Sequence, residues 1–339
     1  MPAIEVDSLN KNYLIRKRKK GIRGAVADFF RPETYVKETI RDITFTVEKG
    51  GIVGLIGPNG AGKSSLIKIL VGILKPDSGR VRVIGMEPFT QRQNYACKIG
   101  VVFGQRSPLW WDLPVSDSFE LLRRIYKVPD GEYKASHDYL IETFELQRLL
   151  TQPVRMLSLG QKLRCTIAAA MLHSPDILFL DEPTIGLDIL MTDQMLLIFK
   201  KMNTERKTTI FITSHDLNVV ERLCQEMILL HDGRILYHGG VSAAISRFVR
   251  NRRLRITSYE KGCLQALTLL IPAQCKIESL TESSLVLLFE QETLSFNDLV
   301  TFLQSGVSAV GMSDFEFFLE KPDLNDLILT VFNPRKKNE

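Results

Sequence analysis

Cysteine is scarce in this sequence, and no two cysteines have the spacing of metal ligands. The chain has 339 residues, and its five cysteines, none in a Cys-x-x-Cys pair, are Cys97, Cys165, Cys224, Cys263 and Cys275. An odd number of scattered cysteines predicts neither a disulfide framework nor a zinc site. The simple inference is that the protein works in a reducing compartment.

Long hydrophobic runs are also missing. A membrane-spanning helix needs about 20 consecutive apolar residues, and no run of this chain approaches that length. The first residues, Met1 to Asp7, lack the basic-then-apolar pattern of a secretory signal. If the protein works at a membrane, we expect another subunit to cross it.

The charge has no strong excess of either sign. There are 44 lysines and arginines against 39 acidic residues, a net charge of +5, which argues for no particular partner. The composition, 45% hydrophobic and 24% charged, is that of an ordinary globular protein. Because 339 residues are more than one hydrophobic core usually serves, we expect two units.

A glycine-rich stretch is the strongest functional motif that is present. It fits the template Gly-x-x-x-x-Gly-Lys-Ser, between an apolar run and a helix-forming pattern. Such a loop lies at a strand-to-helix turn, where backbone N–H groups and the positive end of the helix attract phosphate. We expect Lys63 to reach the β- and γ-phosphates of a nucleotide and Ser64 to bind Mg²⁺; the alternative is a glycine-rich turn with a surface lysine. The predicted loop residues are Gly57, Pro58, Asn59, Gly60, Ala61, Gly62, Lys63, Ser64 and Ser65.

Two adjacent acids follow an apolar strand pattern, and a histidine follows the next one. Asp181 at a strand end can hold Mg²⁺, while Glu182 can orient or deprotonate an attacking water; the alternative is an acidic helix cap. His215 ends the pattern that begins at Thr208. A lone histidine is more often structural, but strand ends on one edge of a sheet favour a catalytic role here.

A second candidate anion site is the stretch Ser158-Leu159-Gly160-Gln161, which opens an apolar helix. Free N–H groups, a hydroxyl and the positive end of a helix dipole are together attractive to phosphate. Gln105 ends another buried strand pattern and is followed by Trp110 and Trp111. Adjacent residues face opposite sides of an element, so one tryptophan is a candidate partner contact; the alternative is that the surface covers it.

The N-terminal part has an alternating strand pattern over residues 3–15 that a basic insertion, residues 16–38, interrupts. Tyr13 ends the pattern, and its ring either stacks on a purine or packs against its own domain. One interpretation of the insertion is a short amphipathic basic helix that lies on an anionic membrane surface or against a membrane subunit. The alternative is a solvated charge run beside a small helix that packs on its own domain.

Together these motifs resemble the nucleotide-binding ATPase subunit of an ATP-binding cassette (ABC) transporter, over about residues 3–245. The segment from Gly104 to Pro114 and the insertion resemble the branch that serves ABC-2-type membrane subunits, mostly exporters. Leu159 departs from the common signature, which has glycine at that position. The motifs, in the order of the family, are the phosphate loop Gly57 to Ser65, Gln105 of the Q-loop, the signature Leu157-Ser158-Leu159-Gly160-Gln161, the strand end Asp181-Glu182, the D-loop Ile185-Gly186-Leu187-Asp188 and the switch histidine His215.

The resemblance implies a fold and a division of the chain. The fold is an α/β P-loop NTPase of ABC type, with a mixed sheet core, an antiparallel β subdomain and a helical subdomain over about residues 106–172. The nucleotide-binding domain would cover residues 1–245. Beyond the resemblance, the residue pattern of 246–339 predicts a small accessory α+β domain, ferredoxin-like in kind, with strands near 254–257, 274–278 and 284–289 and helices near 296–303 and 323–331. Its role, dimer stabilisation or regulation, is left open.

The resemblance also implies ATP hydrolysis between two copies that meet head to tail, with ATP and Mg²⁺ as cofactors. Lys63 and His215 would hold the γ-phosphate together with Ser158, Gly160 and Gln161 of the second copy. Glu182 would position the hydrolytic water, Tyr13 would stack on adenine, and Asp188 would lie at the seam between the copies. The expected metal ligands are Ser64, Gln105 and Asp181.

The expected partners are integral-membrane permease subunits and a second nucleotide-binding subunit, as a homodimer or a heterodimer. The protein would then lie at the cytoplasmic face of the cell membrane. The alternative is a soluble ABC ATPase acting in DNA repair or translation. The long coiled coils of the repair members and the tandem cassettes of the translational members do not occur here, and the balanced charge argues against nucleic acid as a partner.

Overall fold

The computed structural model describes residues 2–17, 33–104, 106–260, 262–290, 292–310 and 314–332. The chain divides into two compact units, Met1–Gly240 and Val241–Glu339. The boundary expected after residue 245 lies inside the helix Val241–Phe248 and stays a prediction. No helix among the described residues is both long and apolar enough to span a membrane.

The first unit is built on a six-stranded mixed sheet with the strand order β5-β6-β7-β3-β8-β9. The five strands from β5 to β8 in that order pair in parallel, and β9 pairs antiparallel with β8. Continuous apolar sequences such as Ile-Val-Gly-Leu-Ile suit strands that are buried on both faces. The bounds are β3 Ile52–Ile56, β5 Ile99–Phe103, β6 Ile177–Asp181, β7 Thr209–Thr213, β8 Glu226–His231 and β9 Arg234–Gly240.

A three-stranded antiparallel sheet, ordered β2-β1-β4, forms the predicted β subdomain. Its strands are β1 Ile4–Lys17, β2 Glu33–Val47 and β4 Ser78–Val83. The first two form a long hairpin whose pairing continues to Lys17↔Glu33. The interruption is therefore shorter than the expected 16–38, because backbone hydrogen bonds pair two strands whatever side chains they carry. The predicted amphipathic helix within 18–32 lies outside the described residues.

Helices cover the central sheet and form a separate helical layer. Between the strands β5 and β6, the chain forms the helices α3 and α4, each with one buried face. A 3₁₀ turn at Val154–Met156 and the largely buried helix α5 follow. The bounds are α1 Lys63–Leu70, α2 Arg92–Ala96, α3 Val115–Tyr126, α4 Asp130–Phe144, α5 Leu159–Met171, α6 Ile189–Arg206 and α7 Leu217–Leu223.

The second unit confirms the α+β prediction. Its strands and helices follow the order βαββαβ, and its antiparallel sheet has the order β11-β12-β10-β13, which is the ferredoxin-like arrangement. Three short elements of this unit, α8, α9 and β13, were not predicted, because eight, six and five residues carry too little periodicity. The bounds are α8 Val241–Phe248, β10 Asn251–Thr257, α9 Cys263–Thr268, β11 Lys276–Leu280, β12 Ser284–Glu290, α10 Phe296–Val310, β13 Glu316–Glu320 and α11 Leu324–Phe332.

Candidate active site

The glycine-rich loop joins the buried strand β3 to the helix α1, as its sequence predicts. Two of its glycines have no room for a side chain. A Cβ on Gly57 would lie 2.1 Å from the carbonyl oxygen of Leu230, and one on Gly62, where φ is 108°, would lie 2.7 Å from that of Thr39. Because both neighbours are backbone atoms, only glycine lets the loop curl tightly between β8 and β2.

Lys63 is a buried cation held by the loop itself. Its Nζ donates hydrogen bonds to the carbonyl oxygens of Gly57, at 2.6 Å, and Pro58, at 3.2 Å, and the residue is only 8% exposed. Burial lowers the pKa of the ammonium, while the charges of Glu182 and Asp181 act in the opposite direction. The loop thus holds the ammonium group in place through two carbonyl oxygens, and a bound phosphate could take over those hydrogen bonds.

The two acids lie at the end of β6, directly beside the end of β7. Asp181 pairs in register with Thr213, whose Oγ1 donates to Asp181 Oδ1 at 2.6 Å. The same hydroxyl accepts a hydrogen bond from the backbone N–H of Glu182 at 3.1 Å. Thr213 therefore fixes both acids, a role that sequence reasoning missed because it depends on which strands are neighbours.

His215 contacts the second acid through both its backbone and its ring. Its N–H donates to Glu182 Oε2 at 3.0 Å, and its Nε2 lies 3.2 Å from Glu182 Oε1. Glu182 itself has a φ of 54°, in the left-handed region that residues other than glycine seldom adopt. Such conformations often occur at functional sites.

These groups line one cleft of about 540 Å³. Its walls come from the glycine-rich loop, the strand ends and the β1–β2 hairpin. Sequence reasoning missed the hairpin residues Leu14, Ile15, Lys37 and Thr39, because their position depends on the register of the hairpin. The lining residues are Tyr13, Leu14, Ile15, Lys37, Thr39, Asn59, Gly60, Gly62, Lys63, Ser64, Ser65, Asp181, Glu182 and His215.

Tyr13 lies at the side of this cleft. Its hydroxyl is 3.2 Å from the Ser65 hydroxyl on α1, and the Lys11 ammonium lies 5.8 Å from the centre of its ring. The phenol is thus tied to the glycine-rich loop. Stacking of the ring on a base stays a prediction.

The signature residues do not line the cleft of their own chain. Ser158 is the N-cap of α5: its hydroxyl accepts from the Gln161 N–H at 3.3 Å, and Gln161 Oε1 accepts from the Ser158 N–H at 2.9 Å. A Cβ on Gly160 would lie 2.2 Å from Met191 Cε. Asp188 caps α6 by accepting from the Met191 N–H at 2.8 Å. One chain therefore brings the signature close to the start of α6.

Gln105 lies outside the described residues. The tryptophans that follow it are both accessible, Trp110 at 38% and Trp111 at 58% exposure. The Lys162 ammonium lies 4.8 Å from the Trp111 ring. Neither indole is buried in the first unit.

Comparison with known proteins identifies the family. A model of the ABC transporter family matches residues 40–185. The chain is 31% identical to the ABC transporter ATP-binding protein NatA of Bacillus subtilis, over 63% of this chain and 87% of that protein. The chain belongs to the ABC transporter family.

Two further members match this chain over different shares of its length. The linearmycin resistance ATP-binding protein LnrL of Bacillus subtilis is 29% identical, and the match covers 88% of this chain and 95% of that protein. The Nod factor export ATP-binding protein I of Paraburkholderia xenovorans is 34% identical over 63% of this chain and 70% of that protein.

Solved structures agree with this placement. The structure of cbiO1 from Clostridium perfringens, part of an ABC transporter complex, matches with a TM-score of 0.59 and 27% identity over 70% of this chain and 88% of that one. The dimeric structure of the ATP-binding cassette MJ0796 bound to ADP and Pi matches with a TM-score of 0.57 and 25% identity. This match covers 70% of this chain and 98% of that one. The first unit of this ABC protein is thus an ABC ATPase domain, which binds and hydrolyses ATP as a subunit of a transporter.

Proposed function

We propose that this ABC ATPase powers an ABC-2-type membrane exporter, with ATP-driven closure of a dimer coupled to separate membrane subunits. The observation that carries the catalytic part is the convergence of Lys63, Asp181, Glu182 and His215 on one cleft. The exporter assignment is supported by relatives named for linearmycin resistance and Nod factor export. Transporter names among the relatives give no support to the alternative of a soluble ABC ATPase.

In the proposed reaction, the glycine-rich loop and Lys63 hold the β- and γ-phosphates. Glu182 orients a water and accepts its proton as the water oxygen attacks the γ-phosphorus. The bond from that phosphorus to the β–γ bridging oxygen breaks, and ADP and inorganic phosphate are formed. His215, which contacts Glu182 at 3.2 Å, would move to the γ-phosphate when ATP is bound. Tyr13 would stack on the adenine.

The residues present fit a magnesium ion. Mg²⁺ is usually held by one or two carboxylates together with substrate phosphates, and both the Ser64 hydroxyl and the Asp181 carboxylate line the cleft. Thr213 donates to one oxygen of Asp181, which leaves the other free to face the metal or its water. Gln105 is the third proposed ligand. When bound, the ion would neutralise charge on the phosphates.

We assign Ser158, Gly160 and Gln161 to the nucleotide of a second copy, because they do not line their own chain's cleft. The surface near Asp188 supports such pairing, since Ile189 and Leu190 are 79% and 76% exposed. Asp188 would then lie at the seam of a homodimer.

We further propose that the exposed Trp110 and Trp111 contact an integral-membrane permease subunit. Tryptophan is enriched at protein interfaces, and these two follow Gln105, the third proposed ligand of the metal, in the sequence. The protein would accordingly work at the cytoplasmic face of the membrane, with no nucleic acid as partner.

The catalytic proposal is tested by Glu182→Gln. The amide cannot accept a proton, so ATP hydrolysis by the purified protein is expected to fall by about 100-fold or more, the usual contribution of a general base. ATP binding should persist, and ATP should shift the variant to dimers in size-exclusion chromatography with light scattering. The matched control is Glu132→Gln on the exposed surface of α4, which should behave like the parent. Hydrolysis by Glu182→Gln at the parental rate would refute the assignment.

A further inference from the structure

The β1–β2 hairpin places a lysine beside the predicted base-stacking residue. Tyr13 of β1 and Lys37 of β2 are directly paired in the antiparallel register. Directly opposed residues of an antiparallel pair point to the same face of the sheet, with Cβ atoms about 5 Å apart. The Lys37 side chain therefore leaves the hairpin on the same face as the Tyr13 ring.

That face is turned toward the glycine-rich loop. The Tyr13 hydroxyl lies 3.2 Å from the Ser65 hydroxyl, two residues beyond Lys63. Lys37 lines the same cleft as Gly60, Lys63 and Ser64, and it also lines a second recess that shares Gly60 with the cleft. The lysine thus forms part of the wall of the cleft that also holds Lys63.

Lys37 differs from the neighbouring cations of the hairpin in its contacts. Lys11 forms an ion pair with Asp77 at 2.6 Å, and Arg41 forms one with Glu38 at 3.3 Å. Among the residues that the structure describes, no carboxylate pairs with the Lys37 ammonium. Its donors are therefore available to a ligand in the cleft, and a charged donor to an anion makes one of the stronger hydrogen bonds in proteins.

We propose that Lys37 is a further nucleotide-binding residue, which contacts the phosphate chain of a nucleoside di- or triphosphate from the hairpin side. This inference rests on the proposed function, since it requires the cleft to be the ATP site. Lys63 would hold the phosphates from within the loop and Lys37 from outside it. Because Lys37 would contact the charged phosphates and not the base, its contribution to affinity should increase with the number of phosphates.

The test is a set of calorimetric titrations of the full chain with ATP, ADP, AMP and adenosine, with Mg²⁺ present. Lys37→Met keeps the length of the side chain and removes the charge, and it is expected to weaken ATP binding about 5- to 10-fold, as loss of one charged contact does. Adenosine binding should change by less than about 2-fold, because no phosphate is involved. Lys37→Arg should retain most of the affinity. The matched control is Lys134→Met on an exposed position of α4.

The outcomes separate this inference from the function on which it rests. If the parent and Lys37→Met bind ATP equally while Lys63→Ala loses binding, the Lys37 assignment is wrong and the ATP site stands. If Lys37→Met weakens adenosine as much as ATP, the contact is to the nucleoside and the phosphate assignment is wrong. If the parent binds no nucleotide, the proposed function itself fails.

Discussion

At the scale of single residues, Lys63 shows how burial and binding are linked. Its ammonium is buried against two carbonyl oxygens, and this desolvation lowers its pKa from the ordinary value of 10.5. A bound triphosphate would add negative charge beside the ammonium and raise that pKa again. The same group would then hold its proton more tightly in the complex than in the free protein.

The affinity for ATP should therefore depend on pH. Between the lowered pKa of the free protein and the higher pKa of the complex, ATP binding should take up protons, and ATP affinity should fall as the pH rises through that window. Titrations at alkaline pH in two buffers of different ionisation enthalpy measure the uptake. Lys63→Arg, which stays charged throughout, should bind without uptake. Proton release on binding to the parent would contradict the lowered pKa.

Some residues of the site were predictable from sequence and others were not. Lys63, Asp181, Glu182 and His215 belong to local patterns, a glycine-rich loop and strands that end in polar groups, and each lines the predicted cleft. Thr213 and Lys37 belong to no such local pattern. Their roles depend on the pairing of β6 with β7 and of β1 with β2, and no local pattern states which strands are neighbours or in which register.

At the scale of elements, Gly57 before α1 and Gly160 in the first turn of α5 differ in what surrounds them. The Cβ of an alanine at position 57 would meet the backbone of β8, which cannot move without disturbing the central sheet. The Cβ at position 160 would meet the terminal methyl of Met191. That methyl ends a flexible side chain and can turn away.

These contacts predict unequal costs for the same substitution. Gly57→Ala should lower the stability of the first unit by about 2–3 kcal/mol, as overpacking against fixed atoms does, and Gly160→Ala by less than about 1 kcal/mol. Both tryptophans, Trp110 and Trp111, lie in the first unit, so tryptophan fluorescence during urea unfolding reports on that unit alone. Equal costs for the two variants would mean that the glycine-rich loop can relax around a side chain.

The elements themselves were predicted where their periodicity was long. Buried strands of the central sheet such as β3 and β6, and the helices α10 and α11 of the second unit, follow from apolar runs and helical spacing. The basic insertion was predicted to cover residues 16–38, but β1 continues to Lys17 and β2 already begins at Glu33. A run of charged residues argues against burial in a core, but it does not argue against pairing in a two-stranded ribbon, whose strands are joined through their backbones.

At the scale of the whole molecule, the separation of the signature from the cleft is the feature with the greatest consequence. Ser158 caps α5 and does not line the cleft that holds Lys63. A pair of copies arranged head to tail would supply each cleft with the partner's signature, and it would make two composite sites. Each site then needs Lys63 from one copy and Ser158 from the other.

This arrangement predicts complementation between two inactive variants. Lys63→Ala removes the loop cation. Ser158→Asp keeps a good N-cap for α5 but places a carboxylate where the other copy's γ-phosphate must lie, so it should be inactive without unfolding the helix. In a mixed dimer one composite site carries both changes and the other carries neither. Random pairing makes half of the dimers mixed, so ATP hydrolysis should recover to about one quarter of the parental rate.

The measurement is the ATPase rate of the two variants purified separately and after co-expression with different tags. A control co-expression of two differently tagged Lys63→Ala chains should stay inactive. Thermal unfolding should show that Ser158→Asp melts within a few degrees of the parent, so that its inactivity reflects charge in the site. Recovery in the mixed dimer can arise only if an intact Lys63 and an intact Ser158 on different chains meet at one nucleotide. Its absence, with mixed dimers demonstrably formed, would mean that each chain completes its own site or that the copies pair through another surface.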